Sequence, residues 1–173
     1  MQVFALLAPH NAAAQGVDCS ECDTLANCSA QGCFCPFGAG QPANWSGIQG
    51  GKCIECPAGS YKDNAQNEEC KPCGAGRYST VAGASNDSTC ENCLAGKYAT
   101  GEINDGESDC ILCKAGKYSG VVAAASENEC QPCPSNAISP PGSELKQNCQ
   151  CTAGYTGHDG DECSACLRDC PEQ

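Results

Sequence analysis

Seven Cys-x-x-Cys pairs run through the chain: Cys19/Cys22, Cys53/Cys56, Cys70/Cys73, Cys90/Cys93, Cys110/Cys113, Cys130/Cys133 and Cys163/Cys166. Paired thiols at this spacing do one of three kinds of chemistry. They bind zinc as four thiolates, and Cys90, Cys93, Cys110 and Cys113 have the ligand spacing of a structural zinc site. They exchange electrons, which calls for a single motif opening a helix in a βαβ setting, and the sequence offers none. Or they form structural disulfides. The unbroken series of pairs, the Cys-x-Cys elements at Cys33/Cys35 and Cys149/Cys151 and three asparagine sequons favour this last use. Twenty Cys in 173 residues exceed the roughly 8–10% that marks a disulfide scaffold, and the even number permits full pairing. Disulfides persist in oxidising compartments, so the same count implies a secreted or extracellular cell-surface address.

Other chemistries lack their residues. Hydrolysis by a Ser or Cys nucleophile needs a His base, and the only histidines are His10, near the start, and His158, in a Gly/Asp turn. No catalytic residue and no cofactor-binding residue is expected, and the chain reads as a non-enzyme. Carboxylates precede several cysteines, as in Glu68-Glu69-Cys70, Asp109-Cys110, Glu129-Cys130 and Asp159-Gly160-Asp161-Glu162-Cys163. Oxygen-rich turns of this kind are candidates for weak extracellular calcium binding, with plain solvated turns as the expected reading. A net charge of −12 and an isoelectric point near 4.3 repel phosphate backbones and anionic headgroups, so nucleic acid is not an expected partner. No apolar run of 18 residues is present, so no membrane span is expected within the chain as given.

The elements that position the cysteines follow from what else is scarce. Leu, Ile, Val and Phe together number 20 of 173 residues, well below the one-fifth or so that a chain needs to fold by burying apolar side chains. Cross-links must supply the order: a bridge closing a loop of about 15 residues removes on the order of 3 kcal/mol of denatured-state freedom in the chain-entropy account. From Cys70 to Cys130 the pairs step by 20 residues each time, the mark of an array whose units contact mainly their neighbours. A shared phrase follows the second Cys of four of these pairs: Pro57-Ala58-Gly59-Ser60-Tyr61, Gly74-Ala75-Gly76-Arg77-Tyr78, Leu94-Ala95-Gly96-Lys97-Tyr98 and Lys114-Ala115-Gly116-Lys117-Tyr118. Gly at its third place predicts a left-handed backbone angle; after Cys133 that place falls to Asn136, the residue that best tolerates the angle after Gly, and Ile138 stands for the Tyr. A short weakly β-like stretch and a polar turn complete each unit, so the fold class is small and disulfide-rich, an elongated tandem array of short irregular β-hairpins with little helix. The four tyrosines, one per repeat, are expected to pack on a neighbouring bridge.

Sequence alone leaves connectivity open. Placing each Cys-x-x-Cys as a joint, with its two members serving different loops, pairs Cys56 with Cys70, Cys73 with Cys90, Cys93 with Cys110, Cys113 with Cys130 and Cys133 with Cys149. The run Cys149-Gln150-Cys151-Thr152-Ala153-Gly154-Tyr155 followed by Cys163 resembles an EGF tail. That resemblance implies Cys151 with Cys163 and leaves Cys166 for Cys170. Cys33-Phe34-Cys35-Pro36-Phe37-Gly38, flanked by Cys19, Cys22, Cys28 and Cys53, is similar to a compact EGF-like module, which implies Cys19–Cys28, Cys22–Cys33 and Cys35–Cys53. The rival scheme crosses adjacent pairs, Cys53 with Cys70 and Cys56 with Cys73, as in tumour-necrosis-factor-receptor-like modules. It strands Cys35.

The tail from Cys130-Gln131-Pro132-Cys133 through Tyr155 to Cys163, and the Cys-x-x-Cys-x-Ala-Gly-x-Tyr units before it, resemble the cysteine-rich repeat of ephrin receptors. With the EGF-like front the resemblance covers about residues 19–166. It is specific for architecture and unspecific for function, since such repeats occur in receptors, adhesion proteins and surface and flagellar-hair proteins of unicellular algae and other protists. Nothing resembles an ephrin-receptor kinase or ligand-binding domain. The expected role is structural or assembly, a stapled rod in a surface filament, matrix or flagellar appendage. Its expected partners are proteins, copies of itself or other surface subunits among them; the alternative is a fragment of a receptor or adhesion ectodomain that binds a protein ligand.

Asn27, Asn44 and Asn86 open Asn-x-Ser sequons and are candidate glycan carriers. Val3 to Ala8 is apolar and Ala12 to Ala14 offers small residues before Gln15, which reads as a remnant secretory signal or a disordered leader. The expected organisation is then a leader over 1–18, an EGF-like module over 19–53, tandem repeats over 54–132 and an ephrin-receptor-like or EGF-like tail over 133–173.

Overall fold

A computed structural model describes residues 27–29, 32–35, 38–40, 53–65 and 68–166. Its strands are short: β1 (Asn27–Ser29), β2 (Gly32–Phe34), β3 (Ala39–Gly40), β4 (Ile54–Glu55), β5 (Ser60–Tyr61), β6 (Lys71–Pro72), β7 (Arg77–Tyr78), β8 (Glu91–Asn92), β9 (Lys97–Tyr98), β10 (Ile111–Leu112), β11 (Lys117–Tyr118), β12 (Gln131–Pro132), β13 (Ala137–Ile138), β14 (Gln150–Cys151), β15 (Tyr155–Thr156) and β16 (Ser164–Ala165). Each pairs only with its sequence neighbour, β1 with β2 through β15 with β16, as a two-stranded ribbon. The helices among the described residues are single 3-10 turns at Asp87–Thr89, Glu107–Asp109, Glu127–Glu129 and Lys146–Asn148.

A two-stranded hairpin of this length has too little apolar face to stand alone in water. What holds each one is a turn and a bridge. The turn residues are the Ala-Gly phrase: the N–H of Lys97 donates to Leu94 O at 3.2 Å, and that of Lys117 to Lys114 O at 3.0 Å. Gly96 and Gly116, at the third place of these turns, have φ of 77° and 79°, the angle a type II turn requires and a side chain opposes. Asn136 holds the same place at 59°.

Seven bridges join Cys35–Cys53, Cys56–Cys70, Cys73–Cys90, Cys93–Cys110, Cys113–Cys130, Cys133–Cys149 and Cys151–Cys163, with Cα separations of 5.4 to 5.7 Å, in the ordinary range. Each encloses the first strand of one hairpin, and the second strand begins directly after its second Cys. Cys166 is also disulfide-bonded. The expected pairs Cys19–Cys28, Cys22–Cys33 and Cys166–Cys170 involve residues outside those described, as does the leader over 1–18. The protein is thus a small disulfide-rich tandem array of hairpin repeats.

Contacts divide the chain into two compact units. One comprises 1–57, 61–71 and 82–87; the other comprises 58–60, 72–81 and 88–173. In the first, Cys35, Cys53 and Ala39 form a buried cluster. In the second, the buried apolar residues are again half-cystines with Tyr98, Ala99 and Ala124. Sulfur and methyl groups are the core, because larger apolar side chains such as Leu94, Ile103, Val122 and Leu145 lie exposed.

Candidate functional site

The feature repeated most faithfully is a set of backbone bonds from one repeat to the next. In the second unit the N–H groups of Gly59, Gly76, Gly96 and Gly116 donate to the carbonyls of Ser79, Ala99, Ser119 and Ser139, at 2.7 to 2.9 Å. Each acceptor follows the Tyr (or Ile138) of the next repeat and is buried. The N–H groups of Ser79, Ala99 and Ser119 then donate to Asn104, Ala124 and Ser143, in the loop after that, at 3.0 to 3.1 Å. In the first unit Gly38 donates to Lys62 O and Lys62 N–H to Ala84 O in the same pattern. Small side chains at the ladder positions let the backbones approach this closely.

The tyrosines stand beside the ladder. Tyr98 is 7% exposed and clusters with Ala124 and the Cys113–Cys130 bridge of the following repeat. Tyr78 packs against Ala99 and the Cys93–Cys110 bridge, again one repeat on. The phenol tips reach the partner strand: Tyr78 Oη donates to Glu91 Oε2 at 2.9 Å, which raises the Tyr78 pKa, and Tyr118 Oη to Gln131 Oε1 at 3.1 Å. These rings act as spacers between disulfides.

Two polar residues at ladder positions escaped the sequence reading. Lys62 occupies the place that Ser79, Ala99, Ser119 and Ser139 hold elsewhere and is wholly buried. Its Nζ donates to Asn64 O at 2.7 Å and reaches Cys35 O at 3.5 Å. Burial lowers its pKa from 10.5, with Glu68 and Asp63 pulling the other way. Asn104 occupies the place of Ala84 and Ala124. Its Nδ2 lies 2.7 Å from Arg77 O, 2.8 Å from Gly101 O and 3.4 Å from Gly74 O. Alignment of the repeats on their tyrosines exposes both as the odd residue in a column of Ser and Ala.

Two of the carboxylates placed before the cysteines, Asp109 and Glu129, cap their own turns. Asp109 Oδ2 accepts from the N–H of Asp105 at 2.9 Å, Glu129 Oε1 from Ala125 at 2.7 Å, and the amide oxygen of Asn148 from Leu145 at 2.9 Å. This is N-capping carried out from the far end of a 3-10 turn, satisfying donors that the turn leaves open. Ion pairs lie outside the ladder: Lys97 with Glu107 at 2.7 Å, and Lys114 and Lys117 both with Glu127 at 3.1 Å. They hold the pKa of Glu107 and Glu127 below the usual carboxylate value. Among the described residues no three His, Cys, Asp or Glu groups converge as for a metal ion. The four sulfurs with zinc-like spacing, those of Cys90, Cys93, Cys110 and Cys113, are distributed over three different bridges.

Of the sequon asparagines, Asn86 is exposed within an exposed run. The side chain of Asn27, and Asn44 entirely, lie outside the described residues. Among those residues no helix is long and apolar enough to cross a membrane.

Residues 45–90 match the family described as tyrosine-protein kinase ephrin type A/B receptor-like. Thyroglobulin of Rattus norvegicus is 43% identical over 49 residues, which are 28% of this chain and 2% of that protein. The chain therefore spans a small fraction of the curated relative. Both similarities agree with the bridges and hairpins of a tandem cysteine-rich repeat, and such repeats are extracellular protein-binding or structural domains of a typically non-enzymatic kind.

Proposed function

We propose that the chain is a building element of an extracellular assembly, a disulfide-stapled rod within a surface filament, matrix or flagellar appendage, whose partners are copies of itself or other surface subunits. The supporting observation is the backbone ladder, in which Gly59, Gly76, Gly96 and Gly116 make the same bond to the next repeat. Four uses of one joint serve mechanical continuity better than a specific pocket. Electron microscopy of native material under oxidising conditions tests it: filaments or sheets containing the chain, dispersed by reductant, are expected, and dispersed monomers alone reject it.

A second reading, a receptor or adhesion ectodomain fragment that binds a protein ligand, draws support from the receptor-like match over 45–90. An exposed apolar surface adds to it. Leu112 and Leu145 are about half exposed, and Leu145 lines a shallow hollow with Pro140, Pro141, Gly142 and Asn148. A full-length transcript with a downstream membrane span, together with loss of ligand capture in Leu112→Asp and Leu145→Asp, favours this reading over the first.

A further inference from the structure

We infer that Cys133 Sγ is a site of thiol exchange, where the thiolate of a small-molecule thiol attacks the folded protein and stays attached as a mixed disulfide. Exchange needs a sulfur that the attacking thiolate can reach, and exposed bridges are the labile ones. Among the half-cystines of the seven described bridges, all are buried except Cys70 and Cys133, which are part-exposed.

The exposure of Cys133 has a cause in the array. In three earlier repeats the loop of the next repeat is laid across the second Cys of a pair. Gly83 N–H donates to Cys56 O, Ala123 N–H to Cys93 O and Gly142 N–H to Cys113 O, all at 2.8 Å, and those cysteines are at most 1% exposed. Gly160 shares the positive φ of these loop residues but donates to Cys149 O. Cys149, at 0% exposed, is thus covered in place of Cys133. The shift begins in the sequence: one residue separates Cys149 from Cys151, whereas two separate the members of the preceding joints. The hairpin bond that the Cys113 and Cys133 N–H groups make to Gly96 O and Gly116 O therefore falls to Thr152, whose N–H donates to Asn136 O.

Cys70 is the poorer target. Exposed Glu68 and Glu69 directly precede it and repel an anionic thiolate, and Gly40 lies so close that an added Cβ would fall 2.6 Å from Cys70 Sγ. Cys133 instead stands between Pro132 and Pro134. In the exchange the external sulfur bonds to Cys133 Sγ, the bond to Cys149 Sγ breaks, and its electron pair stays on Cys149, which takes up a proton. The repeat remains docked, because Gly116 N–H still donates to Ser139 O and Ser119 N–H to Ser143 O.

The test exposes the oxidised full chain to reduced glutathione without denaturant, blocks the released thiols with N-ethylmaleimide and maps both groups by mass spectrometry. Glutathione on Cys133 and N-ethylmaleimide on Cys149 should form on the order of ten-fold faster than labels at any other bridge. Uncharged 2-mercaptoethanol should open the same bridge first, and slow amide hydrogen exchange at Gly116 and Ser119 should persist in the adduct. First opening of another bridge by either thiol overturns the assignment. So does loss of protection at Gly116 and Ser119, which would mean that unfolding precedes the attack.

Discussion

Gly76 lies so close to Ala123, two repeats ahead, that a Cβ added at Gly76 would fall on the Ala123 carbonyl, and both residues hold positive φ, 78° and 59°. The same relation places Gly59 against Asn104 and Gly96 against Gly142. Repeats are therefore joined to the next by hydrogen bonds and to the one after by steric fit, and an error at one glycine is felt across three bridges.

Gly76→Ala is expected to lower stability by on the order of 3 kcal/mol, part from the left-handed angle and part from the collision with backbone that has no room to yield. Gly154 has a φ of 86° but open space around its Cα, so Gly154→Ala should cost about 1 kcal/mol, the angle alone. Guanidinium unfolding of the oxidised variants measures both; equal losses would show that the close approach contributes nothing.

Ala123 is the reverse case. As a non-glycine residue at φ 59° it carries strain, set against the entropy that glycine would add to the unfolded chain. Ala123→Gly should raise stability by roughly 0.5 kcal/mol, read as a shift of the unfolding midpoint, and a fall would mean that the methyl group packs usefully.

Asn104→Ala removes the buried amide that bonds Arg77 O and Gly101 O. A loss of about 1–3 kcal/mol is expected, the cost of removing a buried side chain's hydrogen bonds to part-buried carbonyls. Asn104→Asp should be at least as damaging, since it sets a carboxylate against those oxygens; stability equal to the parent in either variant counts against the assignment.

The Lys117 and Lys114 ammonium groups hold the Glu127 pKa below its ordinary 4.5. Because the folded value is depressed, the pair favours the fold above the unfolded value, and that contribution is lost as pH falls through the folded value. In Lys117→Met the Glu127 pKa should rise on NMR titration, while the unfolding midpoint at neutral pH moves little, as expected of an exposed pair.

The sulfur inventory has its own test. Among the described residues no cysteine is free, so the native chain should react with no alkylating reagent before reduction and take twenty labels, one per Cys, afterwards. Alkylation of native protein, or zinc in an elemental assay, would reverse the reading of the cysteines.

Much of the hairpin array was legible from spacing because the chain has few competing ways to order itself. With so little aliphatic side chain, the periodic cysteines and the Ala-Gly-x-Tyr phrase are the strongest local signals, and Gly and Asn at one column report a backbone angle directly. Asn136 at 59° follows that logic from the residue alone. Less legible were residues whose role depends on a partner many positions away. Glu129 looks like any acid in a polar turn until the Ala125 N–H is seen beneath it. Lys62 looks like a surface lysine until the ladder position it fills proves to be buried.

The sequence by itself determined that bridges rather than a greasy core would order this protein, and where each hairpin turns, since composition and local backbone angle are properties of short stretches. Only the tertiary structure decided that Gly76 meets Ala123 and that Asn104 closes three carbonyls. Those contacts are set by how one hairpin is rotated onto another, and that rotation depends on the summed close approach of backbones that no single stretch encodes.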